Sequence, residues 1–218
     1  KPVRVIPNPV DLEGISSRAE EEISVDTDGP ILLSVGRLHP KKQHALLLHA
    51  FARISIREAR LWIVGKGPLE DKLRTLSHKL GVADRVRFFG YDPNPYKYMR
   101  HATVFVLTSR AEGSPNALAE AMACGCPVIA TDCLSGPREL LAPDTDPDQR
   151  LSQGWQQTPY GVLVGVHDQK ALTQTMEKLL TDKPLRMLFQ ERGQERVTRF
   201  SPGQVLQQWR TLLGISDT

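Results

Sequence analysis

Cysteine is scarce in this chain, with only Cys124, Cys126 and Cys133 among its 218 residues. Because their number is odd and they lie close together, a disulfide framework is not expected and a reducing compartment is favoured. No second pair of cysteine or histidine residues follows at the spacing of a zinc site. We therefore interpret the three cysteines as structural thiols and expect no metal cofactor.

The chain also lacks a strong charge of one sign and a long apolar run. Its formal net charge is +3 with the basic residues scattered, which gives no support for nucleic-acid binding. No apolar run approaches the ~18 to 20 residues of a membrane-spanning helix. A signal peptide is not recognisable either. Since the chain opens with Lys1 rather than Met, we expect it to be a piece of a longer polypeptide.

Short apolar runs alternate with helical patterns through most of the sequence. The runs are continuous rather than alternating, as in strands that are covered on both faces. The strands predicted in this way are ILLSVG (31–36), LWIVG (61–65), VRFFG (86–90), TVFVL (103–107), PVIAT (127–131) and GVLV (161–164). Apolar residues at helical spacing predict helices over 42–54 and 69–80. The alternation predicts an α/β fold, a Rossmann-like doubly wound parallel sheet of about six strands flanked by helices.

Three regions depart from this alternation. Residues 1–30 are predicted to form a lead-in segment, and residues 31–200 the α/β domain itself. Within that domain, residues 142–159 are polar, contain proline and show no periodicity, so we expect a loop. Residues 201–218 predict a C-terminal helix, with Trp209 either exposed or in the core of this domain.

The segment at residues 111–132, AEGSPNALAEAMACGCPVIATD, carries the most chemical information. Ser114 is predicted to be the N-cap of a helix, Pro115 its first residue, and Gly125 its end. Free backbone N–H groups would then lie at the positive end of the helix dipole, where phosphate binds readily. These groups belong to Asn116, Ala117 and, if the boundary shifts by one residue, Leu118.

Two carboxylates flank this helix start. Glu112 lies on the loop at the helix mouth, and Glu120 follows eight positions later, about two turns into the helix. Such a site suits a ligand that is anionic at one point and rich in hydroxyls at others, and a nucleotide-sugar fits that description. An isolated pair of this spacing would more often be two surface glutamates.

The loops after the first three strands add further candidates. Arg37 and Lys42 leave the first strand together and can both point at one ligand, with arginine gripping phosphate oxygens in a bidentate manner. The P-loop pattern is absent here. After the second strand, Gly65 and Gly67 permit close backbone approach but lack the third glycine of a dinucleotide fingerprint. Tyr91 follows the third strand and either edges a slot for a flat base or packs internally.

These motifs, in order, resemble those of a known family: SVGRLHPKK, IVGKGPLEDKL, VRFFGY, TVFVLTSRAEGSPNALAEAMACGCPVIATD, GPREL and GVLV. Together they resemble the C-terminal, donor-binding half of a retaining glycosyltransferase of the GT-B type, family four. KPVRVIPNPVD is similar to the linker through which such enzymes enter their second domain. The chain departs from the family at Ser114-Pro115, where Phe-Gly or a similar pair is common. EGSPNALAEA followed by SGPREL resembles bacterial enzymes that extend lipid-linked or surface polysaccharides.

The resemblance implies a role for each matching residue. Arg37 and Lys42 would bind the donor diphosphate, Glu112 the hydroxyls of the transferred sugar, and Glu120 those of the ribose. The implied catalytic residues are thus Glu112, Arg37 and Lys42. Backbone groups would meet the sugar and the distal phosphate at Gly113, Ser114, Asn116, Ala117 and Leu118. The nucleoside, usually with uracil as its base, would be bordered by loops at Gly65, Gly67 and Tyr91.

The resemblance also implies the surroundings of the reaction. The donor would be a UDP-sugar and the acceptor a saccharide or polyprenyl-linked sugar, held by a missing N-terminal domain. Residues 1–30 would then be the linker from that domain, residues 31–200 the donor-binding domain, and residues 201–218 a helix packing on the missing part. The enzyme would be cytoplasmic, with possible peripheral contact to the inner membrane, and this half alone would transfer nothing. No nucleic acid and no metal would take part.

Three alternatives share parts of this pattern. A UDP-sugar 2-epimerase of the same architecture would carry other carboxylates and histidines around the sugar, and a phosphorylase would need a pyridoxal phosphate lysine. Neither set is found in the sequence. A nucleotide-sugar-sensing or scaffold domain with an inactive site is the third alternative, and the presence of both glutamates and both cations argues against it.

Overall fold

The computed structural model describes residues 5–25 and 29–215. Parts of the predicted lead-in segment and of the C-terminal helix therefore lie outside the described residues. The strands are β1 (Ile31–Val35), β2 (Arg60–Val64), β3 (Val86–Gly90), β4 (Val104–Leu107), β5 (Val128–Thr131), β6 (Trp155–Thr158) and β7 (Gly161–Val164). The helices are α1 (Leu12–Ala19), α2 (His44–Phe51), α3 (Glu70–Lys79), α4 (Tyr96–His101), α5 (Asn116–Ala123), α6 (Pro137–Leu141), α7 (Gln169–Thr181), α8 (Lys183–Thr198) and α9 (Pro202–Leu213).

The strands form one sheet in the order β3-β2-β1-β4-β5-β7-β6, and all neighbours are parallel except β6 and β7. Side chains alternate between two apolar clusters, one on each face of the sheet. In β1, Leu32 joins the cluster that contains Phe51 and Phe189, whereas Leu33 joins the cluster that contains Met122. All six predicted strands are present, and the prediction of a doubly wound α/β fold is confirmed.

The prediction of a loop over residues 142–159 is wrong for its last part. Trp155–Thr158 forms β6, which pairs antiparallel with β7 at the edge of the sheet. The strand has the sequence WQQT, and its burial pattern shows little apolar alternation. Only its pairing with β7 makes it a strand, and that pairing is not visible in its own residues.

The predicted lead-in segment contributes a helix to the domain. Asp11 caps α1 by accepting a hydrogen bond from the Gly14 N–H at 3.1 Å. Ile15 is buried where α1 packs against α4. The Val10 N–H donates to the Phe200 carbonyl at 2.7 Å, which ties this segment to the end of α8.

The last helix, α9, is attached by a single buried side chain, Val205. Trp209 is 47% exposed, and Leu206 and Leu212 are exposed beside it. Of the two alternatives for Trp209, the structure therefore shows the exposed one.

Glycines let the loops after β1 and β2 touch through their backbones. Gly65 has φ +141°, and a Cβ there would lie 2.0 Å from the Gly36 carbonyl oxygen. A Cβ on Gly67 would lie 2.4 Å from the Leu38 carbonyl oxygen. The close approach that the sequence predicted at these two glycines is thus an approach of one loop to its neighbour.

A buried ion pair orders the polar loop that precedes β6. The guanidinium of Arg138, on α6, forms several hydrogen bonds with the carboxylate of Asp132, at the end of β5. The Leu151 N–H donates to the same carboxylate at 2.6 Å, and Arg138 also donates to the Thr145 hydroxyl at 3.1 Å. The two side chains are 5% and 0% exposed, so neither can exchange its partner for water.

We expect Asp132→Ala to lower the free energy of unfolding by about 3–5 kcal/mol, because it leaves the buried guanidinium of Arg138 without its counterion. Urea denaturation measures this change. The matched control is Glu70→Ala, which removes a surface pair with Arg74 at 2.8 Å. Its cost should stay below about 1 kcal/mol. Equal costs for the two variants would contradict the stabilising role of the buried pair.

We expect Gly65→Ala to lower the melting temperature, because a methyl group cannot fit against the Gly36 carbonyl and the backbone at Gly65 disfavours a side chain. The control is Gly203→Ala in α9, where a Cβ would meet nothing within 4 Å. That change should leave the melting temperature unchanged or raise it slightly. Thermal unfolding followed by circular dichroism compares the two, and an unshifted Gly65→Ala melt would refute the contact.

Candidate functional site

The candidate site lies where the order of the strands reverses. β1 and β4 are neighbours, and the chain continues from β1 toward β3 on one side and from β4 toward β5 on the other. The loops that leave the carboxyl ends of such a pair separate, and the crevice between them is the usual ligand site of an open α/β sheet. Here the two loops carry residues 36–43 and 108–115.

Several hydrogen bonds join these two loops at their base. The Thr108 hydroxyl donates to the Lys42 carbonyl at 2.8 Å, and the Gln43 side-chain amide donates to the Thr108 carbonyl at 2.9 Å. The Arg110 N–H donates to the Lys41 carbonyl, also at 2.8 Å. Since Thr108 is buried, its hydrogen bonds with Lys42 and Gln43 are partly shielded from water and fix the two loop backbones relative to each other.

Glu112 and Lys42 meet across the crevice. The ammonium group of Lys42 donates to Glu112 Oε1 at 2.5 Å, and the two side chains are 27% and 10% exposed. The hydroxyl of Ser109 donates to the same oxygen at 2.5 Å. The sequence reasoning did not identify Ser109, although a serine at the end of a buried strand is a candidate partner for a nearby carboxylate.

A cavity of about 490 Å³ opens around this pair, and we call it the Glu112 cavity. One carboxylate, several basic side chains and a glycine line it. These are Glu112, Arg37, His39, Lys41, Lys42 and Gly113. Arg37 is exposed, so its guanidinium is open to an incoming anion. The structure thus brings together the three residues that the sequence predicted to be catalytic.

A second cavity, of about 700 Å³, lies beside the first, and we call it the Glu120 cavity. Its lining includes Arg37, Gly65, Lys66, Tyr91, Tyr96 and Glu120. Tyr91 is 70% exposed, so it edges the cavity rather than packing in the core. Lys66 was not among the predicted residues, although its place between two glycines after β2 could have identified it. Arg37 lines both cavities and therefore stands at their junction.

Glu120 lies on α5 with its side chain half-buried. Burial raises the pKa of Glu120, and the charge of Arg18 acts in the opposite direction. Within the described part of the chain, its carboxylate accepts no hydrogen bond. A ligand hydroxyl could therefore donate to it and offset the cost of its burial.

The prediction of the helix start is wrong by one residue. Helix α5 begins at Asn116, with Pro115 preceding it, and no side chain caps it. The hydroxyl of Ser114 donates instead to the Asn116 side-chain oxygen at 3.0 Å. The N–H groups of Asn116 and Leu118 donate to the carbonyls of Ser114 and Pro115. Within the described residues the N–H groups of Gly113, Ser114 and Ala117 have no acceptor, so of the predicted donors these three remain available.

The histidine behind the loop after β1 adds no charge to the site. His44 begins α2 and is 2% exposed. Burial, assisted by the charge of Lys42, lowers the pKa of His44 to about 4. His44 is therefore neutral near pH 7, and the positive charge of the crevice comes from arginine and lysine.

Two of the three cysteines are buried, and Cys124 is half-buried. Cys126 and Cys133 are buried, and Cys126 packs in the apolar cluster that contains Met122. Burial, with the charge of Glu120 adding to it, raises the pKa of the Cys124 thiol to about 12. Burial raises the pKa of the Cys133 thiol to about 11, and the charge of Glu112 adds to this shift.

Among the residues that the structure describes, none of the helices is long and apolar enough to span a bilayer.

Comparison with known proteins identifies the family. Residues 16–196 match the family model described as "Glycosyl transferases group 1". The chain is 36% identical over 200 residues to the N-acetylgalactosamine-N,N'-diacetylbacillosaminyl-diphospho-undecaprenol 4-alpha-N-acetylgalactosaminyltransferase of Campylobacter jejuni, covering 92% of this chain and 50% of that protein. It is 28% identical to the lipopolysaccharide core biosynthesis glycosyltransferase LpsE of Rhizobium meliloti, covering 88% of this chain and 52% of that protein.

Solved structures of other proteins share the fold of this chain. An Anabaena protein, HepE, crystallised in complex with UDP, superposes with a TM-score of 0.83 at 22% identity, covering 97% of this chain and 57% of that one. This chain spans about half the length of the curated relatives that it matches. The resemblance that the sequence motifs carried is confirmed. The chain belongs to the group 1 glycosyltransferase family and is built like one half of a GT-B glycosyltransferase.

Proposed function

We propose that this chain is the donor-binding half of a retaining glycosyltransferase and that its ligand is a UDP-sugar. The observation that carries the proposal is the position of Arg37 at the junction of two cavities, each of which contains a carboxylate. A nucleoside diphosphate sugar has the matching order of groups. It has hydroxyls at both ends and a doubly charged diphosphate between them.

The Glu120 cavity is the larger of the two and suits the nucleoside. The carboxylate of Glu120 would accept hydrogen bonds from the ribose hydroxyls, and the exposed ring of Tyr91 would border the base. The diphosphate would lie beside Arg37, with Lys42 and the free N–H groups at the start of α5 supplying further donors. The sugar would then reach the Glu112 cavity.

The ion pair between Lys42 and Glu112 changes role when the donor binds. Without a ligand each side chain neutralises the other at 2.5 Å. The diphosphate would draw the Lys42 ammonium group toward itself, and the sugar hydroxyls would then replace it as donors to Glu112. Because Ser109 also donates to Glu112 Oε1, the carboxylate keeps its position during the exchange.

The reaction that fits this arrangement is front-face displacement with retention. The bond between the anomeric carbon and the β-phosphate oxygen breaks through an oxocarbenium-like state, and the acceptor oxygen bonds to the same face. The leaving phosphate accepts the acceptor proton. Arg37 and Lys42 stabilise the negative charge that grows on the diphosphate, so the proposal needs no metal.

The relatives support a choice of donor and acceptor. UDP is the nucleotide bound to the Anabaena neighbour, and the Campylobacter relative is named for an undecaprenol-linked acceptor. We propose a saccharide or polyprenyl-linked acceptor, which a further domain of the full-length protein holds at the cytoplasmic membrane face. This half alone would bind donor without transferring it.

Titration calorimetry of the 218-residue chain with UDP tests donor binding. We expect measurable binding to the wild type and at least about a tenfold loss in Arg37→Ala, since a charged hydrogen bond contributes ~1.5–3 kcal/mol. The matched control is Arg53→Ala, an exposed arginine that follows α2 and does not line either cavity. A folded chain that gives no heat with UDP would refute the proposal.

Transfer by the full-length protein tests the catalytic assignment. Arg37→Ala, Lys42→Ala and Glu112→Ala should each lower the turnover rate by about 100- to 1,000-fold, the usual cost of one such electrostatic contact. The control is Lys79→Ala, an exposed lysine at the end of α3. A radiolabelled sugar donor measures the rate. Near-normal turnover in all three site variants would rule out this mechanism.

A further inference from the structure

The loop that follows β5 lies against the loop that carries Glu112. Ala111 and Leu134 form an isolated parallel bridge, and the Glu112 N–H faces the Leu134 carbonyl at 3.4 Å. The hydroxyl of Ser135 donates to the Glu112 carbonyl at 2.6 Å. Both backbone polar groups of Glu112 are therefore satisfied by Leu134 and Ser135.

This contact holds an unfavourable backbone conformation. Ser135 has φ +52°, in the left-handed region that residues other than glycine seldom adopt. Gly136 has φ +89°, and a Cβ there would lie 2.6 Å from Pro115 Cδ. A strained backbone persists only where its surroundings determine it, and such positions concentrate at ligand sites. Here the buried pair of Asp132 and Arg138 anchors the loop immediately before and after the strained residues.

The hydrogen bond of Ser135 also fixes the next peptide group. In a planar trans peptide the C=O and N–H point in opposite directions, so the Glu112 carbonyl and the Gly113 N–H turn together. Gly113 is exposed, and a Cβ on it would meet nothing within 4 Å, so its Cα faces open space. By holding the Glu112 carbonyl, Ser135 directs the Gly113 N–H away from the β5 loop. Gly113 lines the Glu112 cavity.

We propose that Ser135 is a positioning residue for the donor sugar. Its hydroxyl orients the peptide between Glu112 and Gly113, so that the Gly113 N–H and the Glu112 carboxylate meet the sugar together. Ser135 itself does not touch the substrate. The inference rests on the proposed function, because it needs a sugar in the Glu112 cavity.

Two substitutions at Ser135 separate positioning from stability. Ser135→Gly removes the hydroxyl and relieves the strain at positive φ, whereas Ser135→Thr keeps a hydroxyl and adds a β-branched side chain there. If Ser135 acts by positioning, the preference for a UDP-sugar over UDP should be lost only in the variant that lacks the hydroxyl. If its role is only structural, the preference should be lost in the variant whose melting temperature falls.

The experiment compares UDP with a panel of UDP-hexoses and UDP-N-acetylhexosamines by titration calorimetry on the 218-residue chain. The wild type should bind one UDP-sugar more tightly than UDP. Ser135→Gly should lose about fivefold in affinity for that UDP-sugar, the value of one hydrogen bond, with little change for UDP and an equal or higher melting temperature. Ser135→Thr should keep the preference for the UDP-sugar and melt at a lower temperature.

The inference is overturned if Ser135→Gly keeps the wild-type preference, or if Ser135→Thr loses it together with stability. It is also overturned if the wild type binds every UDP-sugar no more tightly than UDP, because no sugar contact then exists to be positioned. Absence of all UDP binding by the wild type would instead contradict the proposed function as well. The two failures are therefore distinguishable in one set of titrations.

Discussion

The site depends on the hydrogen bonds that join the loop after β1 to the end of β4. Sheet topology places the two loops side by side at the point where the strand order reverses. Adjacency alone would leave them free to move apart. The hydroxyl of the buried Thr108 and the side chain of Gln43 fix the backbone on both sides of the crevice. Lys42 and Glu112 can then meet at 2.5 Å, although 70 positions separate them in the chain.

Charge is distributed along the crevice in the order that a nucleotide-sugar requires. Glu112 lies at one end, Glu120 and Asp92 line the other, and Arg37 lines both cavities. Glu112 already has Lys42 and Ser109 as donors, whereas Glu120 accepts no hydrogen bond within the described residues, so hydroxyl donors from a ligand would offset the burial of Glu120. The neutral state of the nearby His44, whose pKa burial lowers to about 4, leaves the positive charge of the crevice to its lysines and Arg37.

The sequence was sufficient for features that depend on local composition. The continuous apolar runs identified the six strands of the predicted sheet, and the spacing of Glu112 and Glu120 identified two candidate carboxylates, each of which lines a cavity. What it missed depends on contacts between distant residues. β6 is a strand because it pairs with β7, and Gly65 is needed because the Gly36 carbonyl lies against it. The cap at α5 was misplaced because Ser114 bonds to the Asn116 side chain, which Asn8 also holds from more than 100 positions away.

The pairing of Lys42 with Glu112 in the unliganded site has a consequence for selectivity among anions. Inorganic phosphate can attract the lysine, but it carries no polyol, and its few P–OH donors lie next to its own charge, so a largely buried Glu112 stays beside a second negative charge. A ligand that carries both an anion and a polyol compensates both partners at once. Under the proposed function, the resting ion pair would therefore favour a ligand that satisfies acid and base together over a simple phosphate.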